Sequence, residues 1–274
     1  MPKMPASVMP GAEPFSREGG PRGVLVLHGF TGNPHSMRPL AEALADAGFT
    51  VELPLLPGHG TQVEDMVPTR WSDYAEAAEA AFGGLERRCA QVALVGLSMG
   101  GTLCCWLAES HPEVIGVAVV NPFIDPPAES FRDSLRGLLD SGSELVPGVG
   151  SDIAKEGVVE LAYEHMPVAA ALSFFEGVDE VAGQLAKISC PVLLLSSRQD
   201  HVVPSSSGDL LAASVSGPIE RVWLERSYHV ATLDHDAPEV EALIVAFVRK
   251  VFEPNPFEPN SFEPNPGDGG EKSS

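Results

Sequence analysis

"VALVGLSMGG", residues 92–101, is an apolar run that closes on Gly96-Leu97-Ser98-Met99-Gly100 and leads directly into the helical pattern "MGGTLCCWLAESH". A serine framed as G-x-S-x-G between a strand and a helix marks a sharp elbow. The turn aims the hydroxyl beyond the sheet edge, and the glycines leave room for strand and helix to pack closely. The helix start places a positive potential and free amides beside that hydroxyl, so the Met99 N–H is a candidate oxyanion donor. The pentapeptide alone occurs by chance, but its position between strand and helix makes Ser98 a candidate nucleophile.

The same alternation extends in both directions. Short apolar runs recur at "GVLVLHG" (23–29), "FTVELPLL" (49–56), "VIGVAVVN" (114–121), "PVLLLSS" (191–197) and "IERVWLE" (219–225). Amphipathic stretches such as "SMRPLAEALADAG" (36–48), "WSDYAEAAEAAFGGLERRC" (71–89) and "APEVEALIVAFVRKV" (237–251) lie between or after them. This order predicts an α/β fold with a mostly parallel central sheet flanked by helices. The rhythm breaks at 122–187, where "SFRDSLRGLLD", "GVVELAYEHM" and "AALSFFEGVDEVAGQLA" predict helices and no strand is expected. An insertion of that length before the late strands reads as a small helical cap. Its apolar residues, among them Phe123, Phe174 and Phe175, either line an acyl channel or pack the cap on the core.

Composition bounds the function. The chain has 274 residues, 44% hydrophobic and 20% charged, enough for one globular domain predicted over 11–252. Its formal net charge of -21 argues against nucleic acid and anionic membrane surfaces as partners and fits a neutral substrate. No apolar run is long enough to span a membrane, and the start lacks the apolar region of a secretory signal, so a soluble, cytoplasmic protein is expected. The four cysteines, Cys89, Cys104, Cys105 and Cys190, lack ligand spacing, which argues against a metal site and for free buried thiols. Residues 253–274 are acidic and, with the FEPNP repeats, proline-rich, so a disordered tail is expected there.

A serine hydroxyl needs an imidazole to take its proton, and the imidazole needs a carboxylate to fix its tautomer. On this fold the acid and then the histidine follow in loops after late strands. "PVLLLSSRQDHVVP" (191–204) offers Asp200; Asp125 and Asp209 are weaker alternatives. "SYHVATLDHD" (227–236) offers His229, just past a strand, and His235, flanked by two aspartates. His229 sits where the base belongs, while Asp236 looks like a helix cap beside His235. His201 adjoins Asp200, but neighbouring side chains in extended chain point apart. A second oxyanion donor is expected in "LVLHGFTGNP" (25–34), from the Phe30 amide, with His28 and His59 bracing loops.

Together the elbow, "HGFTGNPHSMRPLAE", "PGHGTQVEDM", "RQDHVVP" and "SYHVATLDHD" resemble the bacterial monoacylglycerol lipases and related small carboxylesterases of the α/β-hydrolase superfamily. The resemblance implies a serine hydrolase cleaving carboxylic esters, foremost monoacylglycerols, with Ser98, Asp200 and His229 as triad and Phe30 and Met99 as oxyanion donors. No metal or organic cofactor is implied. Through "VGSDIAKEGVVELAYEHMP" (149–167) it also implies Glu160 and Val149 as substrate contacts, together with Asn121. A general carboxylesterase or thioesterase, and a non-catalytic hydrolase-like binder, are the alternatives.

Overall fold

The computed structural model describes residues 7–253. In chain order its elements are β1 (Phe15–Arg17), β2 (Arg22–Leu27), α1 (Arg38–Asp46), β3 (Thr50–Leu53), α2 (Val63–Met66), α3 (Trp71–Glu86), β4 (Gln91–Leu97) and α4 (Met99–Ser110). There follow β5 (Val117–Val120), α5 (Glu129–Asp140), β6 (Leu145–Pro147), β7 (His165–Pro167), α6 (Val168–Ala182), β8 (Val192–Ser197), α7 (Ser205–Ser214), β9 (Ile219–Leu224) and α8 (Ala237–Val251).

Seven strands form one sheet in the order β1-β3-β2-β4-β5-β8-β9. Every neighbouring pair is parallel except β1 with β3. A parallel sheet must be covered on both faces, which is why its strands read as unbroken apolar runs rather than as alternating ones. The alternation appears in the packing instead. In β4, Val92 and Leu94 join the core beneath α3 and α4, whereas Ala93, Val95 and Leu97 join the core beneath α1 and α8. Val240, Ile244 and Val248 of α8, spaced by four residues, supply the apolar stripe for the second layer.

Strand order carries the ends of β4, β5, β8 and β9 side by side along one carboxyl edge, where ligands bind on such sheets. The 122–187 segment lies between β5 and β8 and departs from expectation in two ways. It contains the antiparallel pair β6–β7 where no strand was expected. "GVVELAYEHM" is not a helix: residues 158–163 run as irregular chain, with Tyr163 N–H donating to Thr31 O at 3.1 Å and Asn33 Nδ2 donating to Leu161 O. Backbone groups used in those long-range bonds are lost to an i→i−4 ladder. The FEPNP-repeat tail beyond Glu253 lies outside the described residues.

Candidate active site

Ser98 caps α4 with φ 53° and ψ −119°, a conformation that costs a non-glycine residue about 1–3 kcal/mol. The surroundings enforce it. A Cβ on Gly96 would lie 2.3 Å from Gly100 O, and one on Gly100 would lie 2.1 Å from Leu27 O, so only glycine lets the helix sit this close to the strands. Ser98 N–H donates to Val120 O at 3.0 Å, and the Phe123 N–H returns to Ser98 O at 3.3 Å. The elbow is thereby tied to the end of β5.

His229 follows β9 and is 7% exposed. Its Nδ1 meets Asp200 Oδ2 at 2.8 Å, with both side chains nearly withdrawn from water. The other carboxylate oxygen, Asp200 Oδ1, accepts the N–H groups of Val202 and Val203 at 2.8 Å each. One oxygen is thus held by the loop's own turn while the second faces the imidazole, which fixes the proton on Nδ1 and leaves Nε2 as the basic nitrogen.

The rival carboxylates and histidines are paired elsewhere or stand in solvent. Asp125 accepts from Ser206 Oγ at 2.6 Å, and Asp209 pairs with Arg221 at 2.5 Å. His201 is 57% exposed and pairs with Asp152, not with its neighbour Asp200. His235 is exposed, and only its backbone is bonded. Asp236 stands at the start of α8, but its side chain turns back to Arg226 N and Nε, at 2.9 and 2.7 Å, instead of capping the helix. The helix's first amides go to backbone carbonyls, Ala237 N–H to Asp234 O and Glu239 and Val240 N–H to Asp236 O.

Above Ser98 runs the loop that leaves β2. A Cβ on Gly29 would lie 3.4 Å from Ser98 Cβ, so the loop passes directly over the elbow. The Phe30 and Met99 N–H groups have no partner among the described residues. They are the two amides free to receive a negative oxygen beside Ser98. Behind this loop sit His28 and His59, fully buried. Desolvation lowers their pKa values to about 3 and about 4, and the proximity of the two imidazoles adds to the fall at His28. Both are neutral, so His28 can donate from Nδ1 to Gly29 O at 3.0 Å and accept the Leu56 N–H on Nε2 at 3.1 Å.

Two groups of different chemistry meet the loop that passes over Ser98. A row of rings begins at Phe30, which stacks on Phe174 at 5.4 Å, and continues through Phe123 to Phe175, with Phe174 and Phe175 buried in the core. Two residues further along the loop, at Gly32, Glu160 places its carboxyl within 2.9 Å of where a Cβ would stand. Burial raises the Glu160 pKa, against the opposing influence of the His229 charge and the Ser36 hydroxyl. Val149, by contrast, is 63% exposed.

Asn121, implied as a substrate contact by the resemblance, has its carboxamide bonded within the protein. Nδ2 donates to Ser197 Oγ at 2.9 Å and to His229 O at 2.8 Å, while Oδ1 accepts the Ser197 N–H at 2.7 Å. It locks β5 and β8 to the histidine loop. Ser197 itself, donating to Tyr228 O at 2.8 Å, is a supporting residue that carried no sequence signal. Among the described residues no cluster of His, Cys, Asp and Glu could hold a metal, and no helix is long and apolar enough to cross a membrane.

Comparison with known proteins agrees with this geometry. The family model described as serine aminopeptidase, S33, matches residues 20–236. The thermostable monoacylglycerol lipase of Bacillus sp. (strain H-257) is 44% identical over 247 residues, 89% of this chain and 96% of that one. A carboxylesterase of Bacillus subtilis (strain 168) is 26% identical over 244 residues, 87% of this chain and 97% of its own. A solved structure of a metagenome-derived lipolytic enzyme superposes with a TM-score of 0.85 at 42% identity, covering 89% of this chain and all of the other. The monoacylglycerol lipase of Paleococcus ferrophilus shares the fold, with a TM-score of 0.73 at 19% identity over 87% of this chain and 99% of the other. With its elbow serine, mostly parallel sheet and family match over most of its length, the chain belongs to the serine aminopeptidase S33 family of α/β-hydrolase serine enzymes.

Proposed function

We propose that the protein hydrolyses monoacylglycerols to glycerol and free fatty acid through an acyl-enzyme. The observation that carries this reading is the pair of contrasting groups on the loop over Ser98, the aromatic row at Phe30 and the carboxyl at Gly32. The aromatic row that starts at Phe30 suits an alkyl chain, and the Glu160 carboxyl against Gly32 suits a diol. A monoacylglycerol has one end of each kind. The identity to the Bacillus monoacylglycerol lipase supports the same substrate class.

In the proposed mechanism Ser98 Oγ attacks the acyl carbonyl carbon while His229 Nε2 takes the hydroxyl proton. Asp200 holds the imidazolium through Nδ1, and the Phe30 and Met99 amides receive the oxyanion. Collapse breaks the ester C–O bond, and His229 returns the proton to the departing glycerol oxygen. Water then repeats the sequence on the acyl-enzyme: His229 takes its proton, hydroxide adds to the carbonyl, and the fatty acid leaves as Ser98 recovers its hydrogen. Residues 122–187 act as the cap over this site, with Val149 an exposed apolar contact on it. The free state of all four cysteines supports a reducing, cytoplasmic setting, and the charge of -21 argues against a nucleic-acid partner.

A simple carboxylesterase with the same triad is the second reading, favoured by the 26% identity to the Bacillus subtilis carboxylesterase. Specificity constants for a 1-monoacylglycerol and for a methyl ester of the same acyl chain separate the two. A clear preference for the glyceride is expected. Equal or better turnover of the methyl ester would remove the lipase reading and leave the esterase one.

A further inference from the structure

Residues 152–163 form a strap of irregular chain across the carboxyl edge of the sheet, bonded to three of the loops in the proposed site. Tyr163 N–H donates to Thr31 O in the loop over Ser98. At the other end, Asp152 does something more specific. Its Oδ2 accepts the N–H of His229 at 3.0 Å and the N–H of His201, the residue after Asp200, at 3.2 Å. A single carboxylate oxygen is therefore shared by the acid loop and the base loop. Asp152 O also accepts the Val230 N–H at 3.1 Å, so the chain on both sides of the His229 carbonyl is held.

The histidine loop answers with a carboxylate of its own. Asp234 is fully buried, and it accepts four backbone N–H groups: Ala154 at 2.7 Å and Lys155 at 2.9 Å from the strap, Tyr228 at 2.9 Å and His235 at 2.7 Å from its own loop. No cation among the described residues pairs with it; the four amide dipoles compensate its charge. Each segment thus caps the other's amides. This gives Asp234 of "SYHVATLDHD" a structural role, as the bonds to Arg226 do for Asp236.

Resting on the triad reading above, we infer that Asp152 is a positioning residue for that triad. By fixing the backbones of residues 201 and 229 to one oxygen, it sets the separation at which Asp200 and His229 meet. Asp234 secures the strap that carries it. A loop left free to drift by about 1 Å would lose alignment with Ser98, a misplacement that costs on the order of 100-fold in rate.

The test is steady-state hydrolysis of a short-chain p-nitrophenyl ester, with kcat and KM read separately, by wild type, Asp152→Ala, Asp152→Asn, Asp152→Glu and Ser98→Ala. Asp152→Ala should lower kcat by roughly 10- to 100-fold with KM changed by less than about threefold, because a p-nitrophenyl ester has no diol for Glu160 on the strap to bind. Asp152→Asn keeps an acceptor for the two backbone amides and can donate to His201 Nδ1, so it should recover most of the rate. Asp152→Glu keeps charge and acceptors but displaces them by a methylene, so it should lose kcat, and it serves if the alanine variant does not fold. Wild-type kcat in Asp152→Glu or Asp152→Ala, a loss confined to KM, or no recovery in Asp152→Asn would each overturn the positioning role. Ser98→Ala keeps the readings distinct: activity surviving there overturns the triad itself, whereas an inert Ser98→Ala beside a fully active Asp152→Ala overturns only the strap.

Discussion

Asp200 and His229 are 29 residues apart in sequence and 2.8 Å apart at Oδ2 and Nδ1, while His235, on the same loop as His229 and flanked by aspartates, bonds through its backbone alone. Loop position, not the nearest carboxylate in sequence, decides which imidazole is paired. His229→Ala should therefore lower kcat by roughly 10⁴- to 10⁶-fold, as removal of a triad base does. His235→Ala should retain most of the wild-type rate. The comparison needs only ester turnover with matched folded protein; a large loss confined to His235→Ala would reverse the assignment.

Asp200→Asn tests the tautomer. The turn amides of Val202 and Val203 would keep the carboxamide oxygen and leave its NH₂ against His229 Nδ1. Two donors cannot face each other, so the ring would carry its hydrogen on Nε2 and could not accept the Ser98 proton. A fall in kcat of about 10⁴-fold is expected with little change in thermal midpoint. Retention of more than a tenth of the activity would show that Asp200 does not set the tautomer.

The elbow depends on close backbone approach, so Gly100→Ala is expected to act on folding before chemistry. Its Cβ would stand 2.1 Å from Leu27 O and 2.5 Å from Leu27 C, neither of which belongs to a flexible side chain. Overpacking of this kind costs about 1–3 kcal/mol or more. Chemical denaturation should show at least that loss; unchanged stability would mean that α4 does not sit this close to β2.

Glu109, on α4, gives a pH signature. Both carboxyl oxygens are inaccessible and unbonded among the described residues, and desolvation raises its pKa from 4.5 to about 8, against the opposing charge of Lys187. The folded state then binds a proton that the unfolded state has released, so this group's contribution to stability falls as pH rises from 4.5 to about 8. His28 and His59 act in the reverse sense. With folded values of about 3 and about 4 against 6.5 unfolded, they remove stability as pH falls below 6.5. In thermal melts across this range, Glu109→Gln should be more stable than wild type on the alkaline side, with the difference vanishing below 4.5. A constant difference at every pH would contradict the buried acid.

The elbow and the Asp200–His229 pair were legible because their signals are local. Gly96, Ser98 and Gly100 announce the elbow at fixed spacing, and Asp200 and His229 each follow an apolar run that could only be a buried strand. What escaped was long-range. β1 is three residues long and gains its identity from pairing Phe15 with Leu53, far along the chain. The strap sequence "GVVELAYEHM" has helical composition, yet Leu161 and Tyr163 use their backbone groups on the loop over Ser98. Asn121 ends a strand at the site edge, but its bonds to Ser197 and His229 reach 76 and 108 residues along the chain and left no local signal. Asp152 carried no signal at all, since its partners lie 49 and 77 residues away.

The most direct measurement is covalent labelling by a fluorophosphonate, followed by intact mass and peptide mapping of wild type and Ser98→Ala. One adduct per chain, on the peptide containing Ser98, is expected for wild type, with Ser98→Ala unlabelled and inert toward esters. A wild-type chain that stays unlabelled, or a Ser98→Ala chain that labels equally well, would contradict Ser98 as the nucleophile.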